Sequence, residues 1–264
     1  LTLGTKSITE NGTYTATTDG YDGYSQVEVS VSGGGDEIYK YINNNINDKF
    51  TIDLGNPLVT TNEFIGYAFR GADSLEKIIN IPNNFEFNDY SLYLCSNLNE
   101  LNFQNNNPVL KVTGLYPISY AYNLSELTYG ANSTPLNKIT IINSYNAVSV
   151  FRSCPLLTNL EIDYYSYGSS SGTIFDGAIG VRFVKMTNPN MSSIYNWAFR
   201  NTSLEELDLT IRTSSIITLS STTAFDGTPG TVYVLVPSSL ITTYQSATNW
   251  STLYASGKVV FIGV

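Results

Sequence analysis

An apolar pattern recurs six times between residues 69 and 209, and no other feature restricts the fold as strongly. Around Leu75 an apolar residue lies six positions before (Phe69), a small one three before (Ala72) and another apolar one three after (Ile78). The same frame fits Leu92, Cys95, Leu98, Leu101 and Phe103, and again Ile118, Ala121, Leu124, Leu127 and Tyr129. It returns at Phe151, Cys154, Leu157, Leu160 and Ile162, then at Phe175, Ala178, Val181, Val184 and Met186. A sixth copy runs through Ala198, Leu204, Leu207 and Leu209, with Asn201 at the small position. The anchors 75, 98, 124, 157, 181 and 204 are spaced by 23, 26, 33, 24 and 23 residues. A period in the low twenties is one coil of a solenoid, whose apolar face is buried only by stacking on its neighbours. The gap of 33 holds Leu136-Asn137-Lys138-Ile139-Thr140-Ile141, a second strand-like run, and is compatible with either a degenerate extra coil or an insertion.

An open stack needs a terminator, and the end of the chain supplies one. Val232-Tyr233-Val234-Leu235-Val236-Pro237 reads as a strand, after which Ser238 or Ser239 starts a helix carrying Leu240, Ile241 and Tyr244. Trp250 and Leu253 are placed to close the core, ahead of a last strand, Val259-Val260-Phe261-Ile262.

The first 32 residues read differently. Asn11-Gly12 signals a two-residue hairpin between Ser7-Ile8-Thr9 and Thr13-Tyr14-Thr15, and Val27, Val29 and Val31 alternate as in a half-buried strand. Gly33-Gly34-Gly35 reads as a flexible joint, and Asp36 as the cap of a short helix with Ile38, Tyr41, Ile42 and Ile46. The expected organisation is therefore an N-terminal β-module (1–32), a glycine hinge and entry cap (33–63), a solenoid (64–236) and a C-terminal cap (237–264).

Composition narrows the function. Charged residues make up only 13% of the chain, and the net charge is −9. Residues 1–110 hold 5 basic and 14 acidic side chains against 8 of each in the remainder, so the excess lies in the first part. With no basic stripe to neutralise phosphates, neither nucleic acid nor an anionic membrane surface is expected as a partner. Val232–Val236 is far too short to span a bilayer, so no membrane insertion is expected. The opening Leu1-Thr2-Leu3-Gly4 has no basic and apolar leader and no initiator Met, which leaves export open.

The absence of histidine removes Ser-His-Asp and Cys-His nucleophiles and the commonest zinc sites. Glu161, Asp163, Asp176, Glu205, Glu206 and Asp208 remain, but on a repeat they read as solvated positions beside strands, so catalysis is not expected. Asp19-Gly20-Tyr21-Asp22-Gly23 lacks the further ligands of a calcium loop and reads as a turn. No metal and no cofactor is expected. Cys95 and Cys154 both occupy small positions at least one coil apart, roughly 10 Å or more at about 4.8 Å per coil, and so are expected as free, buried thiols.

Twenty tyrosines are the feature most suggestive of binding. Tyr164, Tyr165 and Tyr167 cluster after a repeat strand and are followed by Gly168-Ser169-Ser170-Ser171-Gly172, the Tyr, Ser and Gly mixture used by binding loops. They are the expected ligand-binding residues, because a buried run of adjacent tyrosines is hard to satisfy.

Ala68-Phe69-Arg70-Gly71-Ala72-Asp73-Ser74-Leu75 and Ala198-Phe199-Arg200-Asn201-Thr202-Ser203-Leu204 resemble the A-F-x-x-C-x-x-L core of BspA-like leucine-rich repeats. Ala224-Phe225-Asp226-Gly227-Thr228, followed by Val236-Pro237-Ser238-Ser239-Leu240 and Asn249-Trp250, resembles the ending usual in that family. The resemblance covers about residues 64–264. It implies a mainly β leucine-rich-repeat solenoid and a surface or secreted protein of bacteria or their phages that acts in adhesion. Residues 7–31 resemble a short β-module of tail and fibre proteins from phages of gut bacteria. Together these lead to the expectation of a virion protein (fibre, tail tip or head decoration) that binds a host-surface glycan or protein and contacts other virion proteins through residues 1–32. A homo-oligomer is compatible with this. The alternatives are a bacterial surface or secreted adhesin and, third, a polysaccharide depolymerase.

Overall fold

The computed structural model describes the backbone of residues 2–3, 6–7, 12–17, 26–32, 35–40, 50–55, 63–64, 66–73, 75–136, 138–157, 160–166 and 173–264. Side chains are described from Thr51 onward, apart from 144–148.

The six anchors form a buried column. Leu75, Leu98, Leu124, Leu157, Val181 and Leu204 are all 4% exposed or less. The register explains this: repeat strands pair in parallel with their equivalents one coil away. Ile52, Ile78, Leu101 and Leu127 align across a five-stranded sheet. Ile139, Ile162, Val184, Leu207, Val234 and Phe261 align across a nine-stranded one. Alternation then sends every second residue inward, as along Leu160–Ser166, where Leu160, Ile162, Tyr164 and Ser166 are buried.

The irregular spacing of 33 proves to be a junction, not an extra coil. In the first coils each repeat contributes two strands, such as Glu100–Phe103 to one sheet and Val109–Leu115 to the other. The five-stranded sheet ends where Glu126–Tyr129 turns back on Thr134–Pro135 as an antiparallel hairpin. Lys138–Val148 then pairs with Val109–Leu115 on one side and Leu160–Ser166 on the other. The repeat strand passes from one sheet to the other at this point.

In the sixth copy the small position falls one residue later than the spacing suggests. Asn201 is exposed, and Thr202 is buried and donates its hydroxyl to the Phe199 carbonyl. Phe199 itself stacks on Phe175, with centroids 5.8 Å apart, and on Phe225 at 5.5 Å.

The cap closes this aromatic row. After Val232–Val236 come a short 3-10 turn, Ser238–Leu240, two six-residue helices, Ile241–Ser246 and Trp250–Ala255, and the strand Val259–Gly263. Trp250 is fully buried 5.9 Å from Phe225, and its indole donates to the Ile217 carbonyl at 2.9 Å. The Tyr244 hydroxyl accepts from the Ile217 amide at 2.9 Å, so both backbone polar atoms of buried Ile217 are satisfied.

At the other end, Gln26–Ser32 is a strand as expected, but its partners differ. Lys6–Ser7 pairs with Thr2–Leu3, and Gly12–Thr17 pairs with Gln26–Ser32, so the latter takes the place of the expected pairing across Asn11-Gly12. Gly35–Lys40 is a third strand on Gln26–Ser32, not the start of a helix. A short apolar run such as this carries no period that separates strand from helix, and an available strand edge decides it. Tyr41, Ile42 and Ile46, and the turns at Asp19-Gly20 and Asp22-Gly23, lie outside the described residues.

Cys95 and Cys154 are free and buried. Each thiol donates to a carbonyl of the preceding coil, Cys95 to Phe69 at 3.0 Å and Cys154 to Ile118 at 3.4 Å. Burial pushes both thiols up, Cys154 to about 12. Thiolate, the reactive form, is therefore scarce at neutral pH. Alkylation of the folded protein is expected to leave both unmodified for as long as the fold holds, and denaturation to expose two reactive thiols; rapid native labelling, read by mass, would contradict this packing.

Candidate functional site: a tyrosine ladder across the coil turns

The turn before each anchor repeats as faithfully as the strands. Its amides donate to the next coil, as in Tyr67 to Asp89, Tyr90 to Leu115 and Tyr120 to Arg152. One position in each of seven turns, and a second in five of them, takes left-handed backbone. One falls two residues after the apolar residue that opens the frame: Gly71, Leu94, Tyr120, Ser153, Gly177, Asn201 and Gly227, with φ between 53° and 73°. Glycine suits it without steric cost, and at Gly177 an added Cβ would also lie 2.8 Å from Arg152 Cγ.

The other left-handed position lies two residues before that apolar residue and holds Tyr67, Tyr90, Tyr116, Ser149 and Trp197, with φ of 65°, 52°, 50°, 51° and 61°. A left-handed residue other than glycine costs about 1–2 kcal/mol, so four bulky aromatics kept there form an unusual column.

In the first three coils these rings make a continuous ladder. Tyr67 stacks on Tyr90 with centroids 5.1 Å apart and planes 16° from parallel. Tyr90 meets Tyr93 at 5.1 Å and Tyr116 at 5.6 Å, and Tyr93 meets Tyr120 at 5.2 Å. Tyr67 is 47% exposed and Tyr122, at the far end, 45%; the rings between are half-buried. Burial, and then the neighbouring phenols of Tyr67, Tyr116 and Tyr93, push Tyr90 above the usual tyrosine value, so its hydroxyl stays a neutral donor.

Two arginines sit on the ladder. The Arg70 guanidinium lies 5.6 Å from the ring centres of Tyr67, Tyr90 and Tyr93 alike. Arg152 lies 5.7 Å from Tyr116 and 5.8 Å from Tyr120. Their charges are answered differently. Arg152 has buried Asp176 at 3.8 Å, and Asp176 accepts two further bonds from Arg200, at 2.8 and 2.7 Å. Arg200 in turn lies 4.5 Å over Trp197, carrying the aromatic and basic pairing two coils onward. Arg70 is exposed, and among the described residues no carboxylate lies within ion-pair distance of it.

The residues expected to bind ligand stand elsewhere. Tyr164 is fully buried, in one column with Leu110, Ile141 and Met186, and its hydroxyl accepts from Asn143 at 3.0 Å. Its expected exposure does not hold, because strand alternation points it inward and Asn143 satisfies it there. Burial pushes its hydroxyl up to about 12. Tyr165, the next residue on the strand, is half-buried beside Ile142, and Tyr167 lies outside the described residues. The three tyrosines are thus not brought together as a surface.

The carboxylates considered for catalysis are mostly engaged with bases on the outer side of the strands. Asp163 meets Lys138 at 2.8 Å, Asp208 meets Lys185 at 3.2 Å, and Glu205 pairs with Arg182. Among the described residues no group of three or more Cys, Asp or Glu side chains is placed to hold a metal ion, and no helix is long and apolar enough to cross a membrane.

Residues 25–148 and 141–253 match the BspA type leucine rich repeat region, in six copies. The chain belongs to this family. Leucine-rich-repeat domains of this type serve protein binding or adhesion and are typically on the surface or secreted, and that broad role suits a turn surface lined with preorganised aromatics. Comparison with the curated proteins and with the solved structures returns no match.

Sequence reading missed the ladder, although a trace of it is present. Tyr67, Tyr90 and Tyr116 are separated by 23 and 26 residues, the same spacings as the anchors Leu75, Leu98 and Leu124. An aromatic residue at a fixed offset outside the apolar frame was the available sign.

Proposed function

We propose that this BspA-type chain is a receptor-binding component of a phage virion, a fibre, tail-tip or head-decoration protein that engages a host-surface glycan or protein. The observation that carries the binding role is the ladder: five neighbouring tyrosine rings, four of them in left-handed backbone, held on consecutive coils. Rings fixed by one another lose little freedom on binding, which is how preorganised aromatic surfaces gain affinity. The virion placement rests on the resemblance of residues 7–31 to tail and fibre modules, and in this reading residues 1–32 join the chain to other virion proteins. The role is binding without catalysis, which accords with the pairing of Asp163, Glu205 and Asp208 to bases.

Two measurements on one preparation test it. The polypeptide is expected in purified phage particles, and the purified chain is expected to bind host cells and compete with phage adsorption. Its absence from particles together with binding to cells would move the assignment to the bacterial adhesin, which the family match equally accommodates. Absence of cell binding would remove the receptor-binding role.

A further inference from the structure

The ladder carries a charge pattern that points to a class of ligand. Arg70 is a permanent cation, exposed, surrounded by three tyrosine rings at equal distance and lacking an ion-paired carboxylate among the described residues. The equivalent basic groups farther along the stack do have one: Arg152 and Arg200 share Asp176. A chain with net charge −9 thus leaves an arginine open beside Tyr67, at one exposed end of its tyrosine row.

We propose that the ladder binds a linear carboxylated polysaccharide along the stacking axis, its sugar rings against the phenols and one carboxylate on Arg70. The inference rests on the binding role argued above and supplies the ligand's chemistry. The repeat favours a polymer. The rings recur coil by coil at 5.1–5.6 Å along the row, and a polysaccharide likewise presents similar rings in succession. Phenol and guanidinium have complementary tasks. A tyrosine offers an apolar ring together with a hydroxyl that both donates and accepts, as sugar hydroxyls require. The guanidinium offers a planar fork that fits a carboxylate with two hydrogen bonds, and it keeps its charge at any physiological pH. The tyrosines around Arg70 fix that fork in place, so less freedom is lost when the carboxylate arrives.

A protein ligand is the competing occupant. It would be expected to place isolated side chains into separate pockets, whereas the ladder is a continuous row of neighbouring rings.

The test uses the full chain and three soluble polymers, polygalacturonate, hyaluronate and neutral dextran, with binding measured by calorimetry or by retention on immobilised polymer. Binding to at least one carboxylated polymer is expected, with dextran at least tenfold weaker. Arg70→Ala is expected to weaken that binding tenfold or more, and Arg70→Lys to restore part of it. Tyr67→Ala should weaken it without changing the preference for carboxylated over neutral polymer. Because Arg70 and Tyr67 are exposed, all three variants should melt as the parent does. Binding to no carboxylated polymer, equal binding to dextran, or an Arg70→Ala variant that binds as the parent would each overturn the proposal. If host cells are still bound in that case, the receptor-binding role stands and only the ligand class falls.

Discussion

Replacing Trp250 with Ala is expected to destabilise the protein by about 3–5 kcal/mol, the range for removing a large aromatic from a core. Three features place it in the upper part of that range. Trp250 is fully buried as the last member of the row Phe175, Phe199, Phe225. It also meets Tyr244 at 5.8 Å and Phe261 at 5.7 Å, so truncation loosens the helices and the final strand together. Its indole donates to the Ile217 carbonyl, an acceptor that the variant leaves without that donor. A solenoid that loses its terminator frays from the open end, so denaturant unfolding should show a lower midpoint and a shallower, less cooperative transition. A shift within about 0.5 kcal/mol, the range of exposed substitutions, would mean that Trp250 does not close the stack.

The second large effect concerns Tyr164. Its ring packs 5.3 Å from Phe175, and its hydroxyl is held by Asn143. Tyr164→Ala is expected to cost about 3–5 kcal/mol, from the lost ring and from the Asn143 amide left with a weakened hydrogen-bonding set. Tyr164→Phe, which keeps the ring, should cost only about 1–2 kcal/mol. Tyr165→Ala, one residue along and half-buried, should cost clearly less than Tyr164→Ala. Equal losses at 164 and 165 would contradict the strand register in which Tyr164 aligns with Ile141 and Met186.

Much of the fold was legible because its determinants are strictly periodic. Leu75 through Leu204 could be phased against one another, and a residue's place in that phase decides its burial whatever its neighbours are. Tyr164 shows what happens when adjacency replaces phase. Three tyrosines in four residues suggested a surface cluster, yet Tyr164 lies two residues after Ile162 and shares its inward direction. Asn201 shows the opposite error: the frame was followed literally through a copy one residue shorter between small position and anchor, where Thr202 supplies the buried group. The junction between the two sheets was unreadable because it depends on which strand edge is free after residue 129, a property of the assembled stack. The ladder was overlooked for a related reason. Its tyrosines lie outside the apolar frame, and only the stacking of turns makes neighbours of residues 23 and 26 positions apart.

The central claim is that binding runs through the ladder of residues 67–122 and not through the tyrosines of 164–167. The most direct measurement compares host-cell binding, with melting followed alongside to confirm that each protein is folded, for the parent, Tyr67→Ala/Tyr90→Ala and Tyr165→Ala. Aromatic anchors of a binding surface cost about 2 kcal/mol or more each when truncated, so the double variant should lose binding by a factor of several hundred or more. Tyr165→Ala should bind as the parent does. Undiminished binding by the double variant, or loss confined to Tyr165→Ala, would contradict the account.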